Sequence, residues 1–228
     1  MGIKIKFIDI SDSIPERYHP IPARKNFPEW YKNLDPFSKD QRNGFDKTAK
    51  RCVPMLDSLS AGYLLLTPVD IEITQENGGL QYRWSHEPKV EFQATWQVAG
   101  HKKISEKYHA VPKFPNPWAV VTPKGYSCLY ITPQNRDDLP FEIFSGIIDT
   151  DRYNQSGTLP FYLHDDSFEG LIPAGTPMAQ VIPFKRQDYL MEIGTEKDIL
   201  KLKKQFNELR SVFKDAYRNF YWSGKSFK

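Results

Sequence analysis

The chain has 228 residues, 26% charged and 39% hydrophobic, with a formal net charge of +3, so it folds around a core and is long enough for one large β domain with a helical appendage or for two small domains. The weak positive excess gives no strong nucleic-acid signal, because such binders gather their basic residues on one face. The start, Met1-Gly2-Ile3-Lys4-Ile5-Lys6, lacks the apolar stretch of a signal peptide, and no run approaches the roughly 20 apolar residues of a membrane span. A soluble cytoplasmic protein without a membrane partner is therefore expected, and Cys52 and Cys128, in no metal-ligand spacing, read as buried thiols of a reducing compartment. The 18 Pro, 15 Phe, 12 Tyr and 5 Trp favour β structure with many irregular connections.

In chain order, Ile3–Ile10 alternates like a half-buried strand. Pro15, Pro20, Pro22 and Pro28 punctuate an extended arm, and Glu29–Leu34 makes a turn or two of helix after Pro28. Ser38–Lys50 reads as a charged surface loop. Two stretches organise the rest of the chain, Leu56-Asp57-Ser58-Leu59-Ser60-Ala61-Gly62-Tyr63 and Phe144-Ser145-Gly146-Ile147-Ile148-Asp149-Thr150-Asp151. They are expected to meet in space, with Gly62 and Gly146 at tight turns or close backbone approaches. Strands are predicted at Tyr63–Leu66, Val69–Ile73, Leu80–Trp84, Val90–Trp96, Ala119–Thr122, Tyr126–Ile131, Phe141–Phe144, Ile147–Asp149 and Leu159–Leu163. Phe168–Leu171 and Met178–Phe184 close the sheet region. Asn77-Gly78-Gly79 is a hairpin turn. Pro123-Lys124-Gly125 and Pro173-Ala174-Gly175-Thr176-Pro177 are further turns.

Three histidines, His86, His101 and His109, lie near Glu87 and Glu106. Their spacing matches neither one helix face nor one strand face, and Lys102, Lys103 and Lys107 crowd them with positive charge, so no metal site is assigned. His164-Asp165-Asp166 reads as a solvated turn. Beyond Arg186 the texture changes. Thr195-Glu196-Lys197-Asp198 signals a helix start, in which the Thr hydroxyl accepts the third N–H and Asp198 reaches back. Ile199, Leu202, Phe206, Leu209, Phe213, Ala216 and Phe220 then step by three and four, a narrow apolar stripe. It packs either on the β body or against its own copies; Glu208 and Asp215 interrupt the basic face that a membrane-surface helix would need. Ser223-Gly224-Lys225-Ser226 imitates the end of a phosphate loop without its upstream glycine or strand–loop–helix context. The divisions expected are an arm at 1–50, a β domain at 51–193, and a helix with tail at 194–228.

The ordered series Ser60-Ala61-Gly62-Tyr63, Pro123-Lys124-Gly125-Tyr126 with Ile131-Thr132-Pro133, Ser145–Asp151, and Gly175-Thr176-Pro177-Met178-Ala179-Gln180-Val181-Ile182 resembles the successive motifs of the dUTPase and dCTP deaminase superfamily, over about residues 52–186. The whole chain is also similar to a family of tailed-phage proteins through Pro28-Glu29-Trp30-Tyr31, Pro123-Lys124-Gly125-Tyr126-Ser127-Cys128 and Gly175–Arg186, which brings no activity with it. The resemblance implies a mainly β, β-clip barrel or sandwich with an extended N-terminal arm and a C-terminal helix. It also implies a homotrimer whose sites lie between subunits. Its ligand set is Tyr63, Arg136, Asp149, Tyr153 and Gln180 around a nucleotide or related small molecule, with Asp149 as the catalytic carboxylate.

The motifs depart from that family in ways that bear on chemistry. The metal-holding Asp after the first aromatic residue is Leu64. Pro133 is followed by Gln134-Asn135-Arg136, which leaves a displaced Arg136 as the phosphate cation. The stacking Tyr is shifted to Tyr153, and a helix with an aromatic tail stands where the family carries a glycine-rich arm. Hydrolysis between phosphates needs a metal or cationic clamp and a base for water. Mg²⁺ therefore enters only with a hydrolase reading, and a deaminase needs a Glu, for which Glu142 is the nearby candidate. Asp149 has a structural alternative as a strand-end carboxylate, and Gln180 as a residue pinning neighbouring backbone. Three functions are consistent with this pattern: a non-catalytic phage-type binding or assembly protein, a nucleotide hydrolase or deaminase with an altered site, and a virion structural component.

Overall fold

The computed structural model describes residues 2–11, 13–38, 47–153, 155–211 and 216–228. Its elements run β1 (Lys6–Asp9), α1 (Glu29–Asn33) after β2 (Ile21–Pro22), α2 (Val53–Ser60), β3 (Tyr63–Leu66), β4 (Ile71–Glu76), β5 (Gly79–Trp84), β6 (Glu91–Gln93), β7 (Val111–Phe114), β8 (Trp118–Val121), β9 (Tyr126–Ile131), β10 (Phe141–Ile143), β11 (Gly146–Ile148), β12 (Leu159–Leu163), β13 (Gly170–Ile172), β14 (Pro177–Lys185) and α3 (Glu196–Ser211). The protein is mainly β, with every described strand pairing antiparallel. Two compact units are formed. One comprises Met1–Leu34, Ser58–Arg186 and Phe227–Lys228; the other comprises Asp35–Asp57 and Gln187–Ser226.

The β unit carries four sheets, ordered β1-β8, β10-β12-β7-β6, β11-β9-β14-β3-β2 and β13-β4-β5. Their inner faces share one core that includes Leu65, Val69, Ile71, Ile73, Phe114, Phe141, Phe161, Met178 and Val181. Phe114 stacks on Phe161 with ring centroids 4.0 Å apart, and Phe141 meets Phe114 edge-on at 4.6 Å, arrangements that aromatic quadrupoles favour. β3 is apolar on both faces for a visible reason. Leu65 enters this core, while Leu64 and Leu66 point the other way into a small cluster with Ala23 and Ile21 of the arm. The arm is thus a packed extension: β2 pairs with β3, Ile21 opposite Leu64.

Local chemistry accounts for the turns. Asn77 (φ 52°) and Gly78 (φ 78°) form the two-residue loop between Glu76 and its partner Gly79, the geometry that suits a twisted hairpin. Gly125 and Gly175 take positive φ in the other two predicted turns. The predicted strand Val90–Trp96 is shorter than its alternation suggests: after Gln93 the chain winds into a 3-10 turn at Thr95–Val98, closed by the Gln97 N–H to Ala94 O bond.

The two organising stretches do not touch. β9 and β14 lie between β3 and β11 in the five-stranded sheet, and Leu56–Ser60 is the end of helix α2. Their glycines also differ. Gly62 has φ +69°, and a Cβ there would lie 2.0 Å from Val181 O, so close approach and backbone conformation both demand glycine. Gly146 sits at the exposed sheet edge with no atom within 4 Å of a would-be Cβ.

In the second unit, Thr195 caps α3 in a modified way. Its N–H and hydroxyl both donate to Asp198 Oδ2, each at 2.8 Å, so the hydroxyl serves the carboxylate rather than accepting the third N–H. Of the described stripe residues, Ile199, Leu202, Phe206 and Phe220 are exposed and Ala216 is half-buried. Phe213, Asp215 and the side chains of Glu208 and Leu209 lie outside the described residues, as do residues 39–46 of the predicted charged loop.

Candidate functional site

Asp149 follows β11 and faces the start of β9. Its Oδ1 accepts the Ser127 hydroxyl at 2.7 Å and lies 3.1 Å from Arg186 Nη1. Arg186, just past β14, also donates from Nη1 to Asp151 Oδ1 (2.8 Å) and Tyr126 O (3.0 Å), and from Nη2 to Asp151 Oδ2 (2.5 Å). Asp151 takes a further bond from the Gly125 N–H at 2.7 Å. The Arg186 guanidinium, then that N–H, hold the Asp151 carboxyl well below the usual carboxylate range, and the carboxylates in turn raise Arg186. This network closes the β9 turn, the Asp149–Asp151 turn and the end of β14 onto one guanidinium, whose planar fork suits two carboxylates at once. Asp149 retains a half-exposed side chain.

Gln180 has a different environment. It is buried in mid-β14, opposite Leu64 on β3 and Ile131 on β9. Its Oε1 accepts the Gln134 N–H at 2.9 Å, and its Nε2 donates to Ser58 O at 2.9 Å and Ala61 O at 2.7 Å. It pins the Gly62 turn to the loop after β9. Arg136 is nearly covered too. Nε and Nη2 grip the two Asp138 oxygens at 2.7 and 2.6 Å, while Nη1 donates to Asn26 O and Oδ1 at 3.0 and 2.8 Å. That fork fastens the arm to the β9–β10 loop and, as the leading cause, depresses the Asp138 carboxyl. Trp30 Nε1 adds a bond to Asn135 O at 2.9 Å.

Tyr63 packs edge-on against Phe7 at 5.1 Å and Phe227 at 6.2 Å, and its hydroxyl donates to Lys228 O at 3.4 Å. Burial pushes its phenol up. Tyr153 is exposed, its N–H bonded to Asp149 O. Glu142 lies in another sheet, on β10 opposite Tyr162. The Tyr162 phenol is pushed up to about 12, by burial first and then by Glu142.

Within one chain, Gln180 and Arg136 thus gather at the Ile131 end of β9, and Asp149 at the Ser127 end. Four residue steps along the strand separate the two ends, roughly 13 Å. Leu64, at the position of the resembled metal-holding Asp, is 2% exposed beneath the arm, where an ionised carboxylate would be costly. The predicted histidines are scattered. His86 Nδ1 meets Ser85 Oγ, His101 lies 5.0 and 4.8 Å from the Phe144 and Tyr162 rings, and His109 covers Gly79. Among the described residues no group of three or more His, Cys, Asp or Glu could hold a metal ion, and no helix is long and apolar enough to cross a membrane.

Sequence reasoning missed Ser127 and Arg186. The only signal was strand register: Lys185 pairs with Tyr126, which brings the following Arg to the turn that carries Asp151. Scans against family models and against curated proteins returned no match to this chain.

Proposed function

We propose that this protein is a phage-type, non-catalytic binding and assembly protein built on a dUTPase-like β-clip. It works as a homotrimer in the cytoplasm of an infected cell or in the virion. The observation that carries this reading is the state of Arg136. The cation that the resemblance offers for a phosphate clamp uses four of its five N–H donors on Asp138 and Asn26 and ties the chain's own arm in place. Gln180 is likewise fully engaged with backbone, and the resembled metal position is the core residue Leu64. A phosphate clamp of charged donors is what phosphoryl chemistry chiefly requires. Asp149, half exposed beside Ser127 and Arg186, together with Tyr153 supplies the polar edge of a small-molecule or nucleotide pocket completed by a neighbouring subunit.

The test is incubation with a panel of deoxynucleoside triphosphates and Mg²⁺, followed by product analysis. No product is expected above the buffer rate. Turnover that disappears in Asp149→Asn would overturn the reading in favour of a hydrolase or deaminase.

A further inference from the structure

The second unit leaves much apolar surface uncovered. Ile199 is 49% exposed, Leu202 62% and Phe206 54%. They line an open groove of about 470 Å³ with Tyr217 and Tyr221, rimmed by Lys203 and Gln205. In a straight helix Ile199 and Tyr221 would stand about 33 Å apart. Here both line one groove, so the single π turn Tyr217–Tyr221 lies back against α3 and forms its second wall.

We propose that this groove is a self-association site: α3 of a second copy of this chain packs parallel against α3, its Ile199, Leu202 and Phe206 entering the groove. The inference deepens the assembly half of the proposed function and rests on that reading. Three observations commit it to that occupant. The first is spacing. Steps of three and four make the narrow seam that an identical helix matches, whereas helices packing on a globular body usually show a wider stripe. The second is area. Besides the groove residues, Tyr189, Leu190, Met191 and Ile193 of the preceding segment are 76%, 97%, 92% and 83% exposed. At roughly 200 Å² a residue, the exposed apolar residues of this unit present on the order of 1,000 Å². Summed over the unit, that is of the order of the ~800 Å² that each partner of a stable interface buries.

The third is rim charge. With Ile199 and Leu202 on the seam, Asp198 and Lys203 flank it on opposite sides, five residues apart. In a parallel pair these flanking positions meet across the interface, so Asp198 of one copy faces Lys203 of the other. The capping bonds from Thr195 both use Oδ2 of Asp198 and do not involve Oδ1. The rim is therefore complementary to itself, while an anionic membrane would select lysine alone.

Sedimentation velocity on the full chain at micromolar concentration tests the proposal, with Leu202→Lys, Lys203→Glu and a Cys52→Ser/Leu202→Cys variant beside the parent. The parent is expected to associate. Leu202→Lys, on an exposed helix position and introducing a good helix former, raises the dissociation constant roughly 30-fold or more without loss of helical ellipticity. Lys203→Glu weakens association less, and more at low salt. Cys52→Ser/Leu202→Cys cross-links to itself on mild oxidation, whereas Cys52→Ser/Leu171→Cys, exposed on β13, does not. A monomeric parent overturns the proposal, and cosedimentation of that monomer with phosphatidylserine vesicles reassigns the groove to a lipid surface. Association that survives Leu202→Lys, with no self-cross-linking of the Leu202→Cys variant, also overturns it. A monomeric parent removes the homotrimer of the proposed function as well, whereas nucleotide turnover bears on that function alone and a null result for both Leu202 variants on this groove alone, so the two failures are distinguishable.

Discussion

Replacing Gln180 with Met keeps the length and volume of the side chain and removes its amide. Three hydrogen bonds go with it: the Gln134 N–H to Oε1, and the two from Nε2 to Ser58 O and Ala61 O. A net hydrogen bond contributes about 1 kcal/mol, and a buried group left without a partner costs more, about 1–3 kcal/mol. The three backbone partners belong to half-buried residues, so the lower figure applies to each and the total is about 3 kcal/mol. In a protein of this size 1 kcal/mol moves the thermal midpoint by roughly 2–4 °C, which places the Gln180→Met transition about 6–12 °C below the parent. Differential scanning calorimetry measures it, and hydrogen exchange should show the Gln134 amide losing protection. A midpoint within about 2 °C of the parent, together with loss of small-molecule binding, would refute the reasoning and make Gln180 a ligand group rather than a pin.

Two further predictions separate the remaining elements. Gly62→Ala adds a left-handed strain of about 1–2 kcal/mol to a clash with Val181 O, so chemical denaturation should show a loss of at least about 2 kcal/mol. Gly146→Ala, with open space around it, should change stability by less than about 1 kcal/mol and in the favourable direction for a strand. For Asp151 the folded carboxyl is depressed by Arg186 and the Gly125 N–H. Its contribution is therefore full above the unfolded value of about 3.9 and is lost as pH falls below that toward the folded value. Acid titration followed by near-ultraviolet circular dichroism should show Asp151→Asn less stable than the parent at neutral pH and converging with it in acid; a constant gap down to the lowest pH would exclude the pairing.

Much of the β unit was legible because its strands carry local signals. Tyr126–Ile131 and Leu159–Leu163 match their elements residue for residue, and Asn77-Gly78 specifies its hairpin through positive φ. Long-range order was not legible. Gly62 and Gly146 look alike in sequence, yet only Gly62 approaches another strand, because β14 happens to lie beside β3 while β11 is an edge. Alternation at Val90–Trp96 overstated a strand because periodicity records faces, not the partner that ends at Val111 opposite Gln93. The stripe on α3 was visible as a pattern in the sequence.

The candidate residues show the same division between type and use. Arg136, Asp149 and Gln180 have the chemistry to hold a nucleotide, and composition cannot distinguish that from holding the chain itself. Partners decide it: Asp138 and Asn26 for Arg136, Arg186 for Asp149, and three backbone groups for Gln180. Gly62 and Gln180 then belong to one device. The close approach of Gly62 to Val181 O brings the Ala61 carbonyl within reach of the neighbouring Gln180 amide, which also holds Gln134 and so sets where the β9–β10 loop with Arg136 begins. A side chain at Gly62 would push β14 away from β3 and strain all three Gln180 bonds. The Ser60–Tyr63 and Gly175–Ile182 stretches are therefore coupled through hydrogen bonds from one side-chain amide to backbone, an arrangement that needs no ligand.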